Sequence, residues 1–91
     1  MAFILTRINV GDYEQWKPKF DQDRPGARAD AKGHRLLRNA DEPNEVFVMV
    51  EFASADEARA GRERLLTSGV LDRFEDKTNP KVLEEAEQVS N

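Results

Sequence analysis

Residues 45–52, EVFVMVEF, form the strongest strand signal in the chain. Val, Phe and Met fill the run, and β-branched and aromatic side chains suit a pleated surface. Successive strand residues point to opposite faces. The run is therefore apolar on both: Val46, Val48, Val50 and Phe52 on one, Phe47 and Met49 on the other. Such a strand belongs in the middle of a sheet. Residues 2–10, AFILTRINV, have a similar double character. Ala2, Ile4, Thr6, Ile8 and Val10 make one face; Phe3, Leu5, Arg7 and Asn9 make the other. Two double-faced strands must be covered on both sides, and that requirement shapes the fold.

The remaining elements follow outward from these two. Asp12 with Gln15 is a capping box that opens a helix, whose apolar stripe is Tyr13, Trp16 and Phe20. Continued at helical spacing, the stripe passes through Ala27 and Ala31. Pro25 and Gly26 interrupt it, giving one bent helix or two short ones. Pro18 is best placed in a first turn, where a missing N–H has no partner to lose. The expectation is that Tyr13–Lys17 form a tight initial turn and Pro18 starts or kinks the main helix. HRLLRNA (34–40) is a second strand, and DEPN (41–44) is a turn. Ser54 with Glu57 opens a helix running to about Ser68, with Ala58, Gly61 and Leu65 inward and Gly69 as its stop. VLDRFED (70–76) adds one more turn. PKVLEEAEQV (80–89) suits helix by composition but strand by position; strand is the choice.

The order β-α-β-β-α-β is the split βαβ, ferredoxin-like pattern. The expected class is α+β: a four-stranded antiparallel sheet with both helices on one face and the charged second and fourth strands at its edges. The first and third strands are expected at the centre and mutually parallel. Nothing in the chain is left to cover the second face, and exposed Phe3, Leu5, Phe47 and Met49 would be a sticky patch. A second copy of the chain is the simplest cover.

Bulk properties bound the function. Ninety-one residues make one domain, residues 1–91. There is no cysteine, which removes disulfides and thiolate metal sites. With one histidine, a metal centre or other cofactor is not expected. No run approaches a membrane span, and the N-terminus lacks the features of a signal peptide, so a cytoplasmic location and no membrane partner are expected. A net charge of −4 disfavours nucleic acid as a partner. Charge is uneven, with Arg24, Arg28, Lys32, Arg35 and Arg38 in mid-chain and Glu84, Glu85 and Glu87 near the end.

DYEQWKPKFD (12–21), HRLLRNADEPNEVFVMVEF (34–52) and SGVL (68–71) carry a resemblance to the dimeric α/β-barrel superfamily, and most specifically to small proteins akin to antibiotic-biosynthesis monooxygenases. The helix start fits D-Y-x-x-W-K-P, and the hairpin fits R-x-x-D-x-P-N-E-V through Arg38, Asp41, Pro43, Asn44, Glu45 and Val46. The resemblance implies a homodimer with two sheets packed face to face. It leaves function open, because that superfamily holds cofactor-free monooxygenases, polyketide cyclases, haem-degrading enzymes and stress-induced dimers.

Parity assigns the Phe3–Leu5–Arg7–Asn9 and Phe47–Met49–Glu51 faces to the barrel interior. Phe3, Leu5, Phe47 and Met49 are candidate ligand contacts for a small apolar molecule held between the sheets. With parallel strands, Arg7 stands level with Glu51, and the two are expected to pair. His34 is the default acid–base candidate near neutral pH. It faces the barrel if Arg38 pairs with Phe47 and the helices if Arg38 pairs with Val46, since one residue of register flips every side chain. The candidate catalytic residues are thus His34, Arg7, Asn9 and Glu51. Three functions follow: a homodimeric binding protein, a cofactor-free monooxygenase or cyclase acting on an aromatic or polyketide-like substrate, and the disfavoured nucleic-acid binder.

Overall fold

The computed structural model of the chain describes residues 1–23 and 26–90; Arg24 and Pro25, which figure in the basic cluster and the helix break, lie outside them. The strands are β1 (Ala2–Asn9), β2 (Gly33–Arg38), β3 (Glu45–Phe52) and β4 (Lys81–Glu84). The helices are α1 (Tyr13–Asp21) and α2 (Ala55–Ser68), followed by a 3₁₀ turn at Val70–Arg73. The strands form one sheet in the order β2-β3-β1-β4, the ferredoxin-like arrangement.

Every pairing in the sheet is antiparallel, so the expected parallel run of β1 and β3 is corrected. The crossover through α1 returns β2 in the direction of β1. The 39–44 turn then reverses the chain, and β3 must run against β1. Ala2 stands beside Phe52, Leu5 beside Met49, Arg7 beside Phe47 and Asn9 beside Glu45.

The even-numbered face is the core. Ala2, Ile4, Ile8, Val46, Val48, Val50 and Phe52 are buried there with Trp16 and Ala58. Both helices are capped as their sequences dictate: Asp12 Oδ1 accepts from the Gln15 N–H at 3.3 Å and Ser54 Oγ from the Glu57 N–H at 3.2 Å. Gly69 closes α2 at φ 72°, a left-handed conformation glycine adopts without penalty. Pro18 does not start the main helix. It lies inside α1, past the first turn and exposed, and the helix runs unbroken from Tyr13. The stripe does not continue as helix to Ala27 or Ala31; those residues lie in turns beyond the end of α1.

The two helices approach the sheet differently. α2 presents Ala58 and Gly61 and comes within 8 Å, Cα to Cα, of β1, β3 and β4; no Cα of α1 comes so near a strand. Tyr13, Trp16 and Phe20 stack along α1 at centroid spacings of 5.9 and 5.0 Å and hold it off by their bulk. Space remains on the α1 side.

Four residues of the 12–18 and 38–46 stretches, Tyr13, Arg38, Pro43 and Asn44, meet at one joint. The Arg38 guanidinium lies 4.0 Å over the Tyr13 ring and donates to the Pro43 carbonyl at 2.9 Å. Asn44 accepts from the Tyr13 N–H through Oδ1 at 3.3 Å and from the Val10 N–H through its carbonyl at 2.9 Å. These motifs tie the β2–β3 hairpin to the start of α1.

Candidate functional site

The space beside α1 is a cavity of about 290 Å³. Its floor is the core face of the sheet: Ile4, Thr6 and Ile8 of β1 with Val48 and Val50 of β3. Trp16 and Phe20 form one wall, and Leu65 with Val70, Leu71 and Phe74 forms the other. Ala27 and the charged residues Lys19, Asp23, Arg28 and Arg73 complete the lining. The volume is at the small end for ligand pockets, and an apolar lining with few polar groups is their common form.

Among the described residues Thr6 is the one polar residue at a buried core position, 3% exposed. It sits level with Val48 on the cavity floor. Its hydroxyl makes no hydrogen bond with another described residue. No buried side-chain polar atom among the described residues lacks a partner, so the unbonded Thr6 hydroxyl keeps accessible surface, and on the cavity floor it offers a donor and acceptor to whatever enters. Spacing alone does not single out Thr6. The available signal was a single hydroxyl in the otherwise aliphatic run Ala2, Ile4, Ile8, Val10.

Arg28 is held in place. Its backbone N–H donates to Asp23 Oδ2 at 3.1 Å, and its Nε stands 3.4 Å from Asp23 Oδ1. The guanidinium also donates to the Phe20 carbonyl and lies 3.8 Å over the Phe20 ring.

The residues proposed from sequence fall elsewhere. Phe3, Leu5, Phe47 and Met49 are half-buried on the opposite, odd-numbered face of the sheet; none lines the cavity. Arg7, Asn9 and Glu51 share that face, but the expected Arg7–Glu51 ion pair does not form. In the antiparallel register Glu51 stands beside Phe3 and Arg7 beside Phe47. Arg7 instead donates from Nε to Glu45 Oε2 at 2.6 Å and pairs with Asp76. Asn39 donates to the other Glu45 oxygen at 2.8 Å. These contacts raise the Arg7 pKa, Asp76 contributing most and then Glu45. They hold Glu45 below the usual carboxylate range, through Asn39 first and then Arg7, and Asp76 likewise through Arg7. Asn9 Oδ1 accepts from the Gly11 N–H at 3.0 Å.

Arg38 pairs with Val46 and His34 with Val50, which puts His34 on the helix side. It is exposed and meets the Phe20 ring edge-on at 5.3 Å, outside the cavity lining. The four catalytic candidates are therefore divided between two faces of the sheet. Among the described residues no three metal-ligating side chains converge, and no helix is long and apolar enough to cross a membrane.

Comparison with known proteins adds to the geometry. The fold is shared with a protein described as a candidate antibiotic biosynthesis monooxygenase from Nitrosomonas europaea. That likeness has a TM-score of 0.64 at 15% identity, over 96% of this chain and 100% of that one. A second protein so described, from Deinococcus radiodurans, superposes at a TM-score of 0.66 and 9% identity, over 100% and 97% of the two chains. A protein from Agrobacterium tumefaciens superposes at 0.58 and 16% identity, over 94% of each. At these identities the likeness shows the fold. No family model and no curated protein matches the chain.

Proposed function

We propose that this protein is a cytosolic homodimer that binds a small, largely apolar molecule of one or two rings in the cavity between sheet and helices. The cavity carries the proposal: about 290 Å³, aliphatic and aromatic on floor and walls, with the unpartnered Thr6 hydroxyl at its base. Apolar surface would drive entry, and Thr6 would orient the ligand by its polar group. The dimer would form through the odd-numbered sheet face, where Phe3, Leu5, Phe47 and Met49 are joined by Leu37 and Leu83, 53% and 38% exposed.

The fold shared with the two candidate monooxygenases favours a second reading, in which the bound molecule is a phenolic or polyketide-like substrate. In a cofactor-free oxygenation, O2 would place one atom on an activated ring CH2 carbon. The other atom would leave as water with the two hydrogens of that carbon. His34 lies outside the lining, so the substrate would have to be acidic enough to ionise with the help of the lining cations Lys19, Arg28 and Arg73.

Trp16 is the only tryptophan and lines the cavity, so its fluorescence reports occupancy. Titration with 2-naphthamide is expected to change it saturably in wild type. Val70→Phe, which fills the cavity from its half-buried wall, is expected to abolish the change while the fold persists by circular dichroism. No response in wild type, or an undiminished one in Val70→Phe, would remove the proposal.

A further inference from the structure

We infer that the molecule taken up by the cavity is an acid, its carboxylate seated between Lys19 and Arg73 with its ring body inside. The inference rests on the cavity being a binding site and adds the chemical class of the occupant.

The lining holds three cations, Lys19, Arg28 and Arg73, and one carboxylate, Asp23, in a chain whose net charge is −4. A local excess of positive charge in an acidic protein needs an account. Asp23 and Arg28 provide none, since they are matched to one another and to Phe20. Lys19 and Arg73 differ. Neither makes an ion pair or a side-chain hydrogen bond with another described residue. The guanidinium carbon of Arg73 stands 5.7 Å from the Phe74 ring.

Both also line a second hollow, of about 170 Å³, together with Trp16 and Phe74 of the main cavity. Two exposed cations from different elements, α1 and the 3₁₀ turn, thus line both hollows. The carboxylate lining that hollow, Asp12, accepts the Gln15 N–H at the start of α1. Isolated surface cations are ordinarily solvated and indifferent. Two unpaired cations at one mouth of an apolar cavity form a receptor for an anion with an apolar body. Ionised partners strengthen hydrogen bonds, and exposure at the rim keeps the gain moderate.

The test compares 2-naphthoate with the neutral 2-naphthamide of nearly equal shape, each titrated against Trp16 fluorescence. Wild type is expected to bind naphthoate about tenfold more tightly at low salt, the worth of two partly screened contacts, with the preference shrinking as salt rises. Lys19→Gln and Arg73→Gln are each expected to reduce the preference, and the double variant to abolish it, the two probes then binding alike. Lys81→Gln, on the far side of the sheet, is expected to keep it. Equal binding of the two probes by wild type, or a preference that survives the double variant, overturns the anion site and leaves the cavity proposal standing. Binding of neither probe overturns both.

Discussion

A Cβ placed on Gly61 would stand 2.7 Å from the Ala27 carbonyl oxygen and 3.0 Å from the Phe52 ring. Glycine to alanine inside a helix ordinarily stabilises by about 1 kcal/mol. Here the nearest atom is backbone and cannot swing aside. Gly61→Ala is therefore expected to destabilise by about 1–3 kcal/mol, read as a lower urea midpoint. An upward shift would mean that α2 has room to move. Arg7 offers a second test at this scale. Glu45 and Asp76 have pKa values lowered in the folded chain, from 4.5 and 3.8. A depressed carboxylate pKa contributes stability that is complete above the unfolded value and lost as pH falls through the folded one. Melting temperature is expected to drop as pH is lowered from about 5 through and below these ordinary values, and Arg7→Met should flatten that drop. A variant with the same slope as wild type would show the pairs to be energetically silent. That Arg7 is partnered was legible from its place on an apolar strand face. Which carboxylate it meets was not, because Asp76 lies 69 residues away and no local pattern encodes that approach.

At the scale of elements, alternation and capping chemistry were plain in the chain. The β3 strand, the Asp12 and Ser54 caps and the Gly69 stop all stand where their residue types predict. Strand direction is another matter: parity says which face a residue takes and nothing about which way a neighbour runs. One reversal moved Glu51 from the level of Arg7 to that of Phe3. The cavity was illegible for a related reason, since it is the gap left where large α1 side chains meet small α2 ones across the sheet. Pro18 bears on how α1 holds its post. Inside a helix it deprives the Glu14 carbonyl of its donor and crowds it, at a cost of about 3 kcal/mol against alanine. Its rigidity returns up to about 1 kcal/mol through the unfolded chain. Pro18→Ala is thus expected to stabilise by about 1–2 kcal/mol in urea unfolding. A loss of stability would show that a proline bend is needed to seat Trp16 and Phe20.

At the scale of the whole molecule the sheet separates two roles. Its even-numbered face carries the core and the cavity. Its odd-numbered face sets out Leu83–Phe3, Lys81–Leu5–Met49–Arg35 and Phe47–Leu37 in successive rows, an apolar centre with charged neighbours, as interfaces are built. Leu5→Asp tests the division. On a lone chain the new carboxylate would lie half-exposed in the row of Lys81, at little cost. Inside a dimer it would be desolvated against a partner sheet, at several kcal/mol. Wild type is expected to sediment at twice the chain mass of 10.4 kDa and to melt at a temperature that rises with protein concentration, because only the folded state is linked to association. Leu5→Asp is expected to sediment as the single chain with a concentration-independent midpoint. Glu57→Lys, exposed on α2, should remain dimeric. Wild type sedimenting as one chain at micromolar concentration would end the dimer proposal. The variant also decides where the ligand sits. A site formed between two sheets by Phe3, Leu5, Phe47 and Met49 would vanish with the dimer. A site beneath Trp16 on the other side of the sheet would survive, so monomeric Leu5→Asp is expected to bind 2-naphthamide within about twofold of wild type, a difference well under the 1.4 kcal/mol of a tenfold change.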